Sequence, residues 1–297
     1  MVVNRSSVGS FSIISGTPFA CLEELRAQGV KSTSRITGVS SINGTGSVGD
    51  IYVMYYNGPS EGIGVVNWWT FDQSHTDGMA ALPKTYDMQN LKEGLLAGGA
   101  SNNYTGVDGV LSGALWFSGV ANSTQYVTLD ADSRTLSNEG TISVWIRTPV
   151  GDLEQTIYEE VISGALAYED SDSECYVRLF LKDIESHAMF AYKNYGVTYS
   201  VSGARVSINT WTHLAVTSNG HVTTLYVNGN SGASFSGTNA GQWTNDLITS
   251  GVNSRFIGTF WVSGTQGAYY NGAIDNLRIY DRCLTANEVR QLVAAKL

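Results

Sequence analysis

The chain has 297 residues, of which 42% are hydrophobic and 14% charged, with 33 Gly against 4 Pro. That balance excludes a disordered chain, and the length suits one large β domain with a small appendage, or two ordinary domains. Seventeen basic residues against 26 acidic ones give a net charge of -9 with no basic stripe, so nucleic acid is not an expected partner.

Residues 1–60 are expected to form a small N-terminal α+β module. Strands are predicted at 10–14, 35–39 and 50–56. Between the first two, Thr17 reads as an N-cap, Pro18 suits the first helical position, and Phe19, Leu22 and Leu25 share a face that Gly29 ends. Gly44, Gly46 and Gly49 match a dinucleotide-binding spacing, but a strand follows them where that motif requires a helix, so they read as a turn. Turn formers concentrate at 57–62, the predicted boundary.

Residues 61–297 read as a single, mostly antiparallel β domain. Strands are predicted at 65–71, 126–129, 141–148, 160–163, 175–182, 188–192 and 197–201, then at 255–260 and 273–280. The clearest hairpin runs through 211–217 and 224–229. In it Leu214 and Val216 share one face of their strand, Leu225 and Val227 share one face of theirs, Ser218-Asn219-Gly220 reverses the chain, and Asn228-Gly229 marks the next turn. Trp211 and His213 are expected on the sheet surface. Many short strands with Gly-rich turns and no interleaved helices indicate a sandwich. Near the end Thr285 and Glu288 form a capping-box pattern with Val289, Leu292 and Val293 on one helical face, so one short C-terminal helix is expected.

Five segments in order carry a family resemblance: Val66-Asn67-Trp68-Trp69-Thr70-Phe71-Asp72, Gly113-Ala114-Leu115-Trp116-Phe117-Ser118-Gly119, Gly140-Thr141-Ile142-Ser143-Val144-Trp145-Ile146, the 211–229 hairpin, and Gly272-Ala273-Ile274-Asp275-Asn276-Leu277-Arg278-Ile279-Tyr280. Together they resemble the laminin-G-like jelly roll of the concanavalin A-like superfamily over about residues 65–296. The resemblance implies a mainly β, antiparallel jelly-roll sandwich. It further implies a structural calcium ion where an early loop meets the last strand, with Asp275, Asp72, Asp77 and Asp87 as its ligands. Ser118 departs from the Asp that many relatives carry. Asp275 shares strand parity with Leu277 and Ile279, so either it points inward or a bulge breaks the parity.

Trp243, Trp261, Tyr269 and Tyr270 lie in Gly-, Ser-, Thr- and Asn-rich stretches and are the candidate sugar-stacking rings, with core packing as the alternative. Asp170, Asp172 and Glu174 would share one face of an extended segment, the arrangement a glycoside hydrolase needs. The residues between them are serines, so the run reads as a solvated loop and the chain as a non-enzyme. His75, His187, His213 and His221 have no metal or nucleophile spacing, and Cys21, Cys175 and Cys283 read as small apolar residues.

No apolar stretch reaches the roughly 18 residues of a bilayer span, and Met1-Val2-Val3-Asn4-Arg5 lacks signal-peptide character. The expectation is a surface-display and recognition protein made in a host cytoplasm. It would be carried on a bacteriophage virion as capsid decoration or tail fibre, bound to other subunits through residues 1–57 and recognising cell-surface glycans with its loops. A free-standing lectin-like module, extracellular by a non-classical route, is the alternative.

Overall fold

The computed structural model describes residues 3–6, 10–13, 32–36, 51–55, 64–71, 76–77, 84–87, 93–97, 105–110, 113–119, 124–129, 138–151, 153–162, 175–182, 186–194, 197–236, 243, 253–262 and 265–295. The chain divides into two compact units, Met1–Val65 and Val66–Leu297. In the first, β1 (Val3–Ser6) pairs antiparallel with β2 (Ser10–Ile13), and β3 (Ser32–Ile36) with β4 (Ile51–Tyr55). The helix expected from Thr17 to Gly29 and the Gly44–Gly49 turn lie outside the described residues.

The second unit contains β5 (Val65–Trp69), β6 (Thr76–Asp77), β7 (Lys84–Tyr86), β8 (Glu93–Ala97), β9 (Thr105–Asp108), β10 (Gly113–Phe117) and β11 (Tyr126–Leu129). These are followed by β12 (Gly140–Arg147), β13 (Gln155–Ile162), β14 (Tyr176–Lys182), β15 (His187–Asn194), β16 (Val197–Arg205) and β17 (Thr212–Ser218). The series closes with β18 (Val222–Val227), β19 (Asn230–Ser236), β20 (Asn253–Ile257), β21 (Phe260–Val262), β22 (Thr265–Gly267) and β23 (Gly272–Tyr280). An eight-stranded sheet runs β19-β18-β17-β12-β23-β10-β9, with β5 also paired to β23. A nine-stranded sheet runs β16-β15-β14-β13-β20-β11-β8-β7-β6. The main ladders of both sheets are antiparallel, and the architecture is the expected sandwich.

Alternation builds the core. Ile142, Val144, Ile146, Leu214, Val216, Leu225, Ile274, Leu277 and Ile279 of one sheet belong to the same buried cluster as Val127, Leu129, Tyr158, Val177, Leu179, Leu181, Phe190 and Ile257 of the other. Removing each such side chain from water contributes about 1.5–3 kcal/mol. The 211–229 hairpin folds as read, with Leu214 opposite Val227 and Val216 opposite Leu225. In the following two-residue turn, from β18 to β19, Asn228 (φ 50°) and Gly229 (φ 77°) occupy the left-handed conformations it requires. The capping box also forms: Thr285 Oγ1 accepts from the Glu288 amide, Glu288 Oε2 accepts from the Thr285 amide, and the helix spans Ala286–Ala294.

The structure changes three local expectations. The predicted 255–260 strand breaks at Gly258 (φ 85°), so Phe260 opens a separate hairpin of β21 and β22. Asn276 (φ 48°) makes a bulge that shifts the register between Ser143 opposite Arg278 and Trp145 opposite Asp275, which settles the parity of Asp275 in favour of the bulge. His213, expected on the sheet surface, is fully buried. Its ring shares a 2.8 Å hydrogen bond with Ser143 Oγ and meets Trp145 edge-on at 5.1 Å. Burial first, and the nearby Arg278 charge second, lower its pKa from 6.5 to about 3.

One polar chain crosses the apolar interior. Glu160, opposite Val177 and Arg255 in the ladder, turns inward. Tyr158 Oη donates to Glu160 Oε1 at 2.5 Å and accepts from Arg255 Nε and Nη2 at 3.0 and 2.8 Å. Arg255 also donates to Asn67 Oδ1 at 3.2 Å, and Asn67 Nδ2 donates to Asp87 Oδ2 at 2.7 Å. Burial is the main reason that the Tyr158 hydroxyl holds its proton well above its ordinary pKa, which keeps it a donor to Glu160.

Candidate functional site

The outer face of the nine-stranded sheet carries a row set by register. Thr128 lies opposite Phe256, Phe256 opposite Glu159, Glu159 opposite Arg178, and Arg178 opposite Ala191. These residues face outward because their strand neighbours Val127, Ile257, Val177 and Leu179 are committed to the core. Yet Glu159 is 0% and Arg178 7% exposed, because the β21–β22 hairpin packs beside β13 over this row.

Glu159 serves two donors there. Its Oε1 accepts from Arg178 Nε at 2.8 Å, and its Oε2 from the Trp261 backbone amide at 2.6 Å. The Arg178 guanidinium lies 4.3 Å from the Tyr176 ring centroid and 4.5 Å from that of Phe260, within the range of cation–π attraction. Trp261 stacks on Phe256 with centroids 6.0 Å apart and planes 11° from parallel. Tyr126 meets the same Phe256 edge-on at 6.1 Å. Partial burial raises the Tyr269 hydroxyl pKa, with Tyr126 as the second cause.

Phe256 is buried, whereas Trp261, Tyr126, Tyr269, Phe260 and Tyr176 are each partly open. The result is an aromatic strip crossing β11, β20 and β21, supported by an ion pair closed on itself. Such flat faces suit the apolar C–H faces of sugar rings.

Of the four aromatic residues expected to stack on sugars, the structure places Trp261 on this strip, leaves Tyr269 partly open and puts the other two in the core. Trp243 is 0% exposed, stacked on Phe190 at 5.8 Å. A Cβ at Gly140 would stand 2.0 Å from its Nε1, so only glycine leaves room for the indole. Tyr270 is also 0% exposed and edge-on to Phe117 at 6.2 Å. Rings without an open face do not stack on a ligand, so Trp243 and Tyr270 leave the candidate set. Sequence reasoning missed Tyr126, Phe256, Tyr176, Phe260 and the Glu159–Arg178 pair. Tyr126 was detectable, since it alternates with Val127 in its own strand.

Two of the carboxylates expected to hold calcium, Asp87 and Asp275, accept from N–H groups. Asp87 accepts from Asn67 Nδ2 and from the Trp68 amide, both at 2.7 Å. Asp275 accepts from the Val110 amide at 2.7 Å and so pins the turn between β9 and β10. Asp77 contributes its backbone to β6, and Asp72 lies outside the described residues. Among the described residues no group of three or more His, Cys, Asp or Glu side chains converges as a metal site. Calcium takes six to eight oxygen ligands, and the carboxylate oxygens of Asp87 and Asp275 named here are already taken up by N–H donors. Asp170, Asp172 and Glu174 also lie outside the described residues.

The fold is an antiparallel jelly-roll sandwich with an aromatic strip across one sheet face. The chain belongs to the concanavalin A-like lectin/glucanases superfamily, whose family model matches residues 121–290. No curated protein matches the chain in sequence. Among solved structures it is similar to domain 4 of AbnA, a GH43 extracellular arabinanase from Geobacillus stearothermophilus, determined in complex with arabinotriose. That match has 21% identity and a TM-score of 0.57, covering 77% of this chain and 98% of that one. It is also similar to the binding domain of Paraclostridial Mosquitocidal Protein 1 (19% identity, TM-score 0.52, 78% of this chain and 52% of that one). The botulinum neurotoxin serotype G binding domain matches at 14% identity and a TM-score of 0.51, over 78% of this chain and 51% of that one.

Proposed function

We propose that the Val66–Leu297 unit is a non-catalytic carbohydrate-binding module that holds an oligosaccharide against the outer face of its nine-stranded sheet. The observation that carries this reading is the partly open Trp261–Phe256–Tyr126 strip. Membership of a lectin and glucanase superfamily supports it, as does the fold shared with an arabinanase domain solved with arabinotriose. The non-catalytic part rests on the two glutamates of β13. Glu159 is closed by Arg178 and the Trp261 amide, and Glu160 by Tyr158 and Arg255.

A glycan array with and without calcium, followed by calorimetric titration of the positives and of arabinotriose, tests the reading. Trp261→Ala is expected to weaken binding about tenfold, the scale of one lost aromatic contact. An array with no signal, or affinity unchanged in Trp261→Ala, overturns it.

The same proposal makes residues 1–60 the attachment to other subunits of a virion, with the sandwich displayed outward to cell-surface glycans. A separately clustered Met1–Val65 unit supports that division of labour. Absence of the protein from the purified particle's inventory overturns the virion assignment without touching the binding face.

A further inference from the structure

The geometry points to Glu159 as the residue that positions the aromatic strip, its buried carboxylate latching the β21–β22 hairpin to the sheet and so seating Trp261 on Phe256. This inference rests on the proposed glycan site only where it concerns affinity. With 0% exposure Glu159 does not reach a ligand, so its influence passes through Trp261.

A hairpin with three residues in each strand has no stability of its own. Its position must come from what it docks on. The base is fixed independently, by Thr259 Oγ1 donating to the Gly267 carbonyl at 2.9 Å and by the Thr156 amide donating to the Ala268 carbonyl at 2.7 Å. Its ring-bearing strand is held by Glu159 through two routes. One is direct, the 2.6 Å bond from the Trp261 amide to Oε2. The other runs through Oε1, which orients Arg178 so that its guanidinium plane lies by the Phe260 ring. One carboxylate therefore governs the consecutive residues Phe260 and Trp261. Loss of the latch frees that strand while the hairpin base and the sheet ladder stay in place, so the consequence is local to the strip.

Glu159→Ala alone would strand Arg178 as a buried, uncompensated charge and confuse a lost latch with a lost fold. The test therefore uses two variants. Glu159→Gln, made on Arg178→Met so that no cation is stranded, keeps a side-chain oxygen for the Trp261 amide. The double variant Glu159→Leu/Arg178→Met removes both charges together and the acceptor with them. Amide hydrogen exchange at Trp261, near-ultraviolet circular dichroism and retention in gels containing soluble arabinan are measured for each, with thermal melting as the check on folding.

The double variant is expected to melt cooperatively while its Trp261 amide exchanges on the order of ten- to a hundredfold faster, the worth of one hydrogen bond to a charged acceptor. Glu159→Gln on Arg178→Met is expected to restore most of that protection. A Trp261 amide as protected in the double variant as in the native chain overturns the inference. Should protection fall as expected while neither the double variant nor Trp261→Ala changes retention by arabinan or by any array-positive glycan, the latch stands and the glycan-site reading fails.

Discussion

Replacing Arg255 by Met interrogates the polar chain through the core. Arg255 and Glu160 pair at 3.3 Å with side-chain exposures of 0% and 4%, and the guanidinium also supplies donors to Tyr158 and Asn67. Truncating the cation leaves Glu160 charged and enclosed, which costs about 3–5 kcal/mol. In a unit of this size each kcal/mol moves the melting temperature by about 2–4 °C, so Arg255→Met is expected to melt about 10 °C lower in calorimetry at neutral pH. Converting both partners, Arg255→Met with Glu160→Leu, removes the stranded charge and should recover most of that loss, since matched apolar replacement of a buried pair is about neutral. A single variant melting within about 2 °C of the native chain, or a double variant less stable than the single, would refute the coupling.

Other consequences follow from burial and caps. The folded chain binds a proton at His213 only near pH 3, whereas the unfolded chain binds it near 6.5. Stability from this group is thus complete above the unfolded value and lost as pH falls through the folded one. His213→Gln should flatten that part of the acid-side loss in denaturant titrations, and an unchanged slope between about pH 6 and about pH 4 would count against the burial described. Thr285→Ala removes the N-cap acceptor of the C-terminal helix and is expected to cost about 1 kcal/mol, read as a shift in urea midpoint at constant slope. Gly140→Ala drives a methyl into the Trp243 indole and should destabilise by about 1–3 kcal/mol. A chain melting like the native one would move Trp243 out of the core.

The scaffold was legible because it is written in short-range terms. Strand alternation at Leu214, Val216, Leu225 and Val227 and the Asn228-Gly229 turn need only neighbours in sequence, and so does the Thr285–Glu288 box. The strip was half legible. Trp261 and Tyr269 looked the same in sequence as Trp243 and Tyr270, since polar small neighbours surround all four. What separates them is whether a facing strand leaves a void, and Gly140, which admits Trp243, lies 103 positions away by the difference of the two numbers. Arg255 carried no sign of burial for the same reason, because its partners Tyr158 and Asn67 stand 97 and 188 residues off in the chain. Glu159 and Glu160 were indistinguishable until the register put one under the hairpin and the other in the interior.

The Asn67 hydrogen bonds also define how the sandwich bears load. β5 is the first strand of the second unit, and in the eight-stranded sheet it pairs with β23. Any tension transmitted along the chain from the first unit enters the sandwich there, at a strand that could otherwise be unzipped one ladder bond at a time. Asn67 fastens that strand to Arg255 of the opposite sheet and, with the Trp68 amide, to Asp87. Pulling β5 away therefore breaks buried cross-sandwich bonds together with the ladder, so the entry strand acts as a mechanical clamp that raises the force at which the sandwich yields.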